Sequence, residues 1–96
     1  MRAYWVSVYR EIFDENKMAV YASMAKPVIE KLGGKFLARS RAVYASGRSG
    51  LKERTVLVEW ASLDDAQKAY RSGDYQKALK ALGDGVDRDF RIVEGT

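Results

Sequence analysis

Residues 33–60 read GGKFLARSRAVYASGRSGLKERTVLVEW, and they predict a β-hairpin entered through a glycine pair. Lys35 to Ser46 is rich in aromatic and small apolar residues and forms the first arm. Gly47-Arg48-Ser49-Gly50 is a polar turn bounded by glycines, and Arg54 to Trp60 is a strongly β-forming second arm. A helical pattern lies on each side of this hairpin, and a short strand-like run lies beyond each helix. The hairpin is therefore the middle of a symmetric plan.

Outward toward the N-terminus, Ala3 to Arg10 (AYWVSVYR) carries apolar residues at both parities, which predicts a central strand covered on both faces. Asp14 is an N-cap for a helix in which Met18, Tyr21, Ala22, Ala25, Val28, Ile29 and Leu32 recur at spacings of three and four. Pro27 predicts a kink or restart there, and Gly33 a left-handed stop. Toward the C-terminus, Ser62-Leu63-Asp64-Asp65 reads as a capping box with Asp65 in place of the usual Glu. The helix it opens is interrupted at Ser72-Gly73-Asp74 and resumes to Gly83. Gly83-Asp84-Gly85 is a turn, and Asp89 to Glu94 returns as a strand.

The order β-α-β-β-α-β, with right-handed crossovers, gives a single α+β domain over residues 1–96. It is a ferredoxin-like, four-stranded antiparallel sheet with both helices on one face. The strands are apolar on both faces, so the uncovered side is a partner site. The simplest partner is the same face of a second copy, giving a homodimeric two-sheet α+β barrel. A chain of 96 residues buries only ~60–65% of its unfolded surface by itself, which favours such association.

The chain has no Cys and no His, which removes disulfides, thiol nucleophiles, thiolate metal sites and the commonest general base. Neither a metal nor a cofactor is expected. Any chemistry falls to carboxylates, Tyr, Lys, Arg, Ser or Thr. MRAYWVSVYRE is too charged for the apolar core of a signal peptide, and no apolar run approaches the ~18 residues of a membrane span. The expected location is cytoplasmic, away from membranes.

The net charge of +4 is partly concentrated, with Lys35, Arg39, Arg41, Arg48, Lys52 and Arg54 in or beside the hairpin against Glu53. Such an edge attracts an anion or nucleic acid, or discourages strand-to-strand aggregation. A turn at Gly47 to Leu51 sets Arg39 opposite Glu59. That pair is either a structural cross-strand ion pair or a site for a carboxylate or enolate. Tyr70 and Tyr75 flank the helix break, where a pocket between helix and sheet would expose their hydroxyls; otherwise they fill the core. Trp5 and Trp60 are read as core, or as a stacking wall, and Glu94 has no assigned role.

Tyr4-Trp5, Gly33-Gly34-Lys35-Phe36-Leu37-Ala38-Arg39, Val58-Glu59-Trp60 with Ser62-Leu63 and Ala66, Tyr70-Arg71-Ser72 with Asp74-Tyr75-Gln76, and Ile92-Val93-Glu94-Gly95 together resemble one family. It is the small bacterial proteins grouped as domain of unknown function 1330, within the dimeric α+β barrel superfamily. Ser40-Arg41 and Ala69-Tyr70 depart from the family pattern, which commonly has a second glycine after the hairpin arginine and Trp-Tyr at the later pair. The resemblance implies the fold and the dimer and carries no settled activity. The expected function is binding of a small anionic or aromatic molecule, with Arg39, Glu59, Tyr70 and Tyr75 as ligand contacts and no catalytic residue assigned. The alternative is a cofactor-independent enzyme of oxygenase or isomerase type acting on a small organic acid or aromatic. RNA binding is disfavoured, because Glu53 to Trp60 lacks the stacking aromatics of an RNA-recognition strand.

Overall fold

A computed structural model describes residues 1–47 and 54–96. Its elements run β1 (Ala3–Ile12), α1 (Glu15–Lys31), β2 (Lys35–Arg41), β3 (Arg54–Trp60), α2 (Leu63–Arg71), α3 (Gly73–Leu82) and β4 (Val86–Glu94). The strands form one antiparallel sheet in the order β2-β3-β1-β4. This is the expected ferredoxin-like arrangement, with the second helical segment divided in two.

Strand β1 sits in the middle, and its period of two decides what the sheet buries. Ala3, Trp5, Ser7 and Tyr9 are buried beneath the helices, while Tyr4, Val6 and Val8 occupy the other face. From α1, Met18, Tyr21, Ala25 and Ile29 pack onto the covered face, and Tyr75, Ala78 and Leu82 of α3 complete it. Among the described residues, no helix is long and apolar enough to cross a membrane.

The start of α1 follows the sequence, with the Lys17 amide donating to Asp14 Oδ1 at 3.0 Å. The expected restart at Pro27 does not occur, because α1 continues from Glu15 to Lys31. Pro27 is exposed, and so is Ser23, the residue four positions earlier whose carbonyl loses its donor. Ala25 and Ile29, buried on either side, hold the helix on the sheet. Gly33 ends it as expected, at φ +101°. Gly34 has a different reason: a Cβ there would lie 2.6 Å from Ile29 Cγ2 and 2.9 Å from the Trp60 ring. The glycine pair thus turns the chain and then lets it enter β2 pressed against the core.

Strand β2 stops at Arg41, short of the expected Ser46. Val43 and Tyr44 beyond it are 93% and 80% exposed, so none of the described residues gives them the packing that makes a β-forming residue extended. The expected turn at Gly47 to Leu51 lies largely outside the described residues. At the C-terminal end, β4 begins at Val86, three positions before the expected Asp89, because pairing with β1 continues through Arg88↔Tyr9 and Val86↔Ile12. That extension brings Arg88 into the sheet.

Candidate functional site

The register of the hairpin corrects one expectation directly. Glu59 pairs with Lys35, and Arg39 with Val56, with an irregularity between Phe36 and Ala38. The bulge inserts one extra residue, so Phe36 and Arg39, three apart, both lie on the helix-covered face. Glu59 lies on the opposite face, with its carboxylate 3.9 Å from Arg2. The expected Arg39–Glu59 pair is not formed: Arg39 meets Val56, three positions from Glu59, and an odd displacement puts a side chain on the other side of the sheet.

The bulge puts Arg39 at the edge of a cleft between α1 and the sheet, about 470 Å³ counted with its solvent-open mouth. Met18, Ala22, Ala25 and Ile29 from α1 and Phe36, Val56 and Val58 from the hairpin make its apolar walls. Lys26, Arg39, Arg54 and Arg88 also line it, and no Asp or Glu does among the described residues. None of these four cations is in an ion pair among the described residues. The Arg39 guanidinium lies 5.1 Å over the Phe36 ring, a position that holds the charge at the mouth.

Arg88 lies deeper. Its guanidinium sits over the rings of Phe90 and Tyr21, at 4.8 and 5.5 Å. Nη1 donates to Ser7 Oγ and the Tyr21 hydroxyl, both at 3.4 Å, and Nη2 donates to the Tyr75 hydroxyl at 3.2 Å. The two phenol oxygens are themselves 2.8 Å apart. Burial, then neighbouring Tyr75, holds the Tyr21 phenol well above the usual tyrosine range, against the pull of Arg88. Burial raises Tyr9 and Tyr75 as well. Burial works against the Arg88 charge, but Tyr75 and Tyr21 outweigh it, so the guanidinium stays protonated. Their full compensation requires phenolate. At neutral pH all three phenols are uncharged, and the Arg88 charge is met by hydroxyl dipoles alone.

The two other expected contacts divide. Tyr75 is fully buried, but its hydroxyl belongs to the polar floor just described. Tyr70 does not line the cleft: its ring is 5.2 Å from Phe90, 5.5 Å from Tyr75 and 6.1 Å from Trp5. This aromatic stack fills the space beside the helix break. The break itself is closed by Ser72, whose hydroxyl donates to the Ala69 carbonyl at 2.8 Å and accepts from the Tyr75 amide at 3.2 Å. Trp5 and Trp60 are core, 4.9 Å apart, with Trp5 also at the cleft wall. Arg88, Tyr21 and Tyr9 were missed as site residues. Arg88 shares the parity of Phe90 and Ile92, and that was the available signal. Among the described residues no cluster of carboxylates is suited to a metal ion.

A four-stranded antiparallel βαββαβ sheet with its helices on one face is the ferredoxin-like fold. The chain belongs to the family described as Domain of unknown function (DUF1330), whose model matches residues 2–96. No curated protein matches it in sequence. Among solved structures it is similar to RPA0582 of Rhodopseudomonas palustris, a protein of unknown function (TM-score 0.77, 16% identity, 99% of this chain and 82% of that one). An ethyl tert-butyl ether D (EthD) family protein of Bacillus halodurans matches at TM-score 0.64 and 16% identity, over 100% of both chains. SnoaB of Streptomyces nogalater, a cofactor-independent oxygenase, matches at TM-score 0.66 and 10% identity over 99% of this chain and 93% of that one. At these identities the likeness is one of fold.

Proposed function

We propose that the cleft between α1 and the hairpin binds a small organic anion with an aromatic or apolar body. The observation that carries this is the lining: four cations and no carboxylate among the described residues, around largely apolar walls. A site built this way leaves positive charge without a partner until a ligand supplies it. Arg39 meets the anion at the mouth, and the body lies along the α1 side. Glu59, on the opposite face, takes no part.

A second reading, a cofactor-independent enzyme of oxygenase or isomerase type, is favoured by the hydrogen-bonded Tyr21–Tyr75 pair, which can hold or pass a proton beside Arg88. The oxygenase activity of SnoaB makes that reading worth testing. Among the described residues the lining offers no conventional base, so any reaction would rest on positioning and charge stabilisation.

Thermal-shift measurements with benzoate and salicylate, against neutral benzamide, test the binding. At ten times its Kd a ligand adds ~1.4 kcal/mol of stability, and this should appear for the carboxylates and shrink in Arg39→Met. If no carboxylate stabilises the native chain, or benzamide does so equally, the anion reading is wrong.

We also propose that a second copy covers the open sheet face. Tyr4, Val6, Val8 and Leu57 lie on that face, and Val93 there is 46% exposed. Scattered exposure of this kind is ordinary, and Glu59, Arg91 and Asp89 flank these residues, but Tyr4, Val6, Val8 and Leu57 adjoin at the middle of the face, where a small chain gains by covering them. Sedimentation at low micromolar concentration should give a dimer, and Val6→Lys, facing Arg91 across the strands, should give monomer. A monomeric native chain would remove the dimer while leaving the protomer fold intact.

A further inference from the structure

The polar floor of the cleft has more hydrogen-bond donors than acceptors. Among the described residues the acceptors in its hydrogen bonds are all hydroxyl oxygens, of Ser7, Tyr21 and Tyr75. Arg88 brings five N–H groups and no acceptor, and each phenol brings one O–H. Both phenol oxygens accept from Arg88, and only one of their two protons can lie in the bond between them. The other phenol must donate elsewhere. Tyr75 has no exposed surface, whereas Tyr21 lines the cleft. The arrangement that satisfies both has Tyr75 donating to Tyr21, and Tyr21 turning its own O–H into the cleft. A surplus donor beside a guanidinium that has no carboxylate partner among the described residues is complementary to an oxygen carrying negative charge.

We infer that the cleft takes a weakly acidic phenol or enol as its oxyanion, with the charged oxygen on Arg88 and the Tyr21 hydroxyl and the body along Met18, Ile29, Phe36 and Val56. This rests on the anion-binding reading above and narrows it. The two sites of charge are at different depths. Lys26 and Arg39 at the mouth are exposed, and water screens their preference for an anion. Arg88 is partly buried against two rings, where a cation discriminates more strongly between a neutral hydroxyl and its conjugate base. On binding, the ligand's proton goes to solvent, since among the described residues the lining supplies no carboxylate or imidazole to receive it. The Tyr75 and Ser7 hydroxyls position Arg88 and Tyr21 without touching the ligand.

The probe is 4-nitrophenol, whose phenolate absorbs visibly apart from the phenol, titrated with protein across its own ionisation range. The phenolate should bind at least about tenfold tighter than the phenol, so that the bound probe ionises about one pH unit lower than the free one. Arg88→Met should abolish the difference, Arg88→Lys should keep part of it, and Tyr21→Phe should reduce it. If Arg88→Met does not fold, the shift in the native chain and its reduction in Tyr21→Phe decide the matter. A bound probe with an unchanged or raised ionisation midpoint overturns the inference, as does a shift that survives Arg88→Met. If benzoate stabilises the protein and 4-nitrophenol does not bind, the oxyanion site fails and the anion reading stands. If neither binds, both fail.

Discussion

Raising the pH above about 10 is expected to destabilise the fold steeply. Tyr9, Tyr21 and Tyr75 all have folded-state ionisation raised above the unfolded value of about 10, with burial as the first cause in each. Between the unfolded and folded values the unfolded chain has lost these protons and the folded chain has kept them, so the folded state binds more protons. Stability from these groups is therefore complete below about pH 10 and is lost as the pH rises toward the folded-state values. Each such group contributes a slope of up to ~1.4 kcal/mol per pH unit, and three together ~4 kcal/mol per unit, a large fraction of a small domain's stability. Lys17 and Lys68 also titrate upward of their ordinary range through Asp84 and Asp64, but these are exposed surface pairs. Urea unfolding at a series of alkaline pH values separates the two sources. Tyr21→Phe should lower the slope by ~1.4 kcal/mol per unit, since one ionising group is gone. An unchanged slope in that variant would mean that Tyr21 ionises freely in the folded protein, and that the polar floor is open to solvent.

The same three tyrosines mark the limit of what the sequence disclosed. The fold was legible because its signals are local and agree with one another. Asp14 and Ser62 cap where capping residues are expected, Gly33 turns left-handed where an apolar stripe ends, and the parity of β1 separates covered from open face. The Arg39–Glu59 pairing failed because the strands meet in a different register, Glu59 with Lys35 and Arg39 with Val56, and the bulge that then moves Arg39 to the other face is announced by no residue type at Leu37. Tyr70 and Tyr75 were singled out by the helix break, yet Ser72 caps both helices and closes it. Their rings complete a core aromatic stack instead. Arg88 escaped notice because Val86-Asp87-Arg88 has no β-forming run of its own. Its extended conformation comes from pairing with Tyr9, Glu11 and Ile12, a tertiary effect. Tyr21 and Tyr9 were read correctly as helix-stripe and strand residues. Only the arrival of Arg88 between them turns two core aromatics into a polar floor.

Replacing Trp5 should be the most damaging single substitution in the core. Its ring lies within 4.8–6.1 Å of the rings of Tyr75, Trp60, Phe90 and Tyr70, joining both helices of the second half to β1, β3 and β4. Its Nε1 donates to the Ala66 carbonyl at 3.0 Å in the interior. Trp5→Ala removes that packing and opens a cavity that four stacked rings cannot close without moving, for an expected cost of ~3–5 kcal/mol in urea unfolding. Trp60 is equally buried but differs in one respect: its Nε1 is buried with no hydrogen-bond partner among the described residues. This gives a sharper comparison than either alanine variant. Trp5→Phe loses ring volume and a made hydrogen bond, whereas Trp60→Phe loses ring volume and an unmade one, removing a desolvated donor that already cost free energy. Trp5→Phe should therefore be the more destabilising of the two by ~1 kcal/mol or more. Because Trp5 also lines the cleft and Trp60 does not, the first variant should weaken benzoate binding and the second should leave it near its native value. Equal stability losses would mean that the Trp5–Ala66 bond contributes nothing net, and the aromatic stack alone would then account for the role of Trp5.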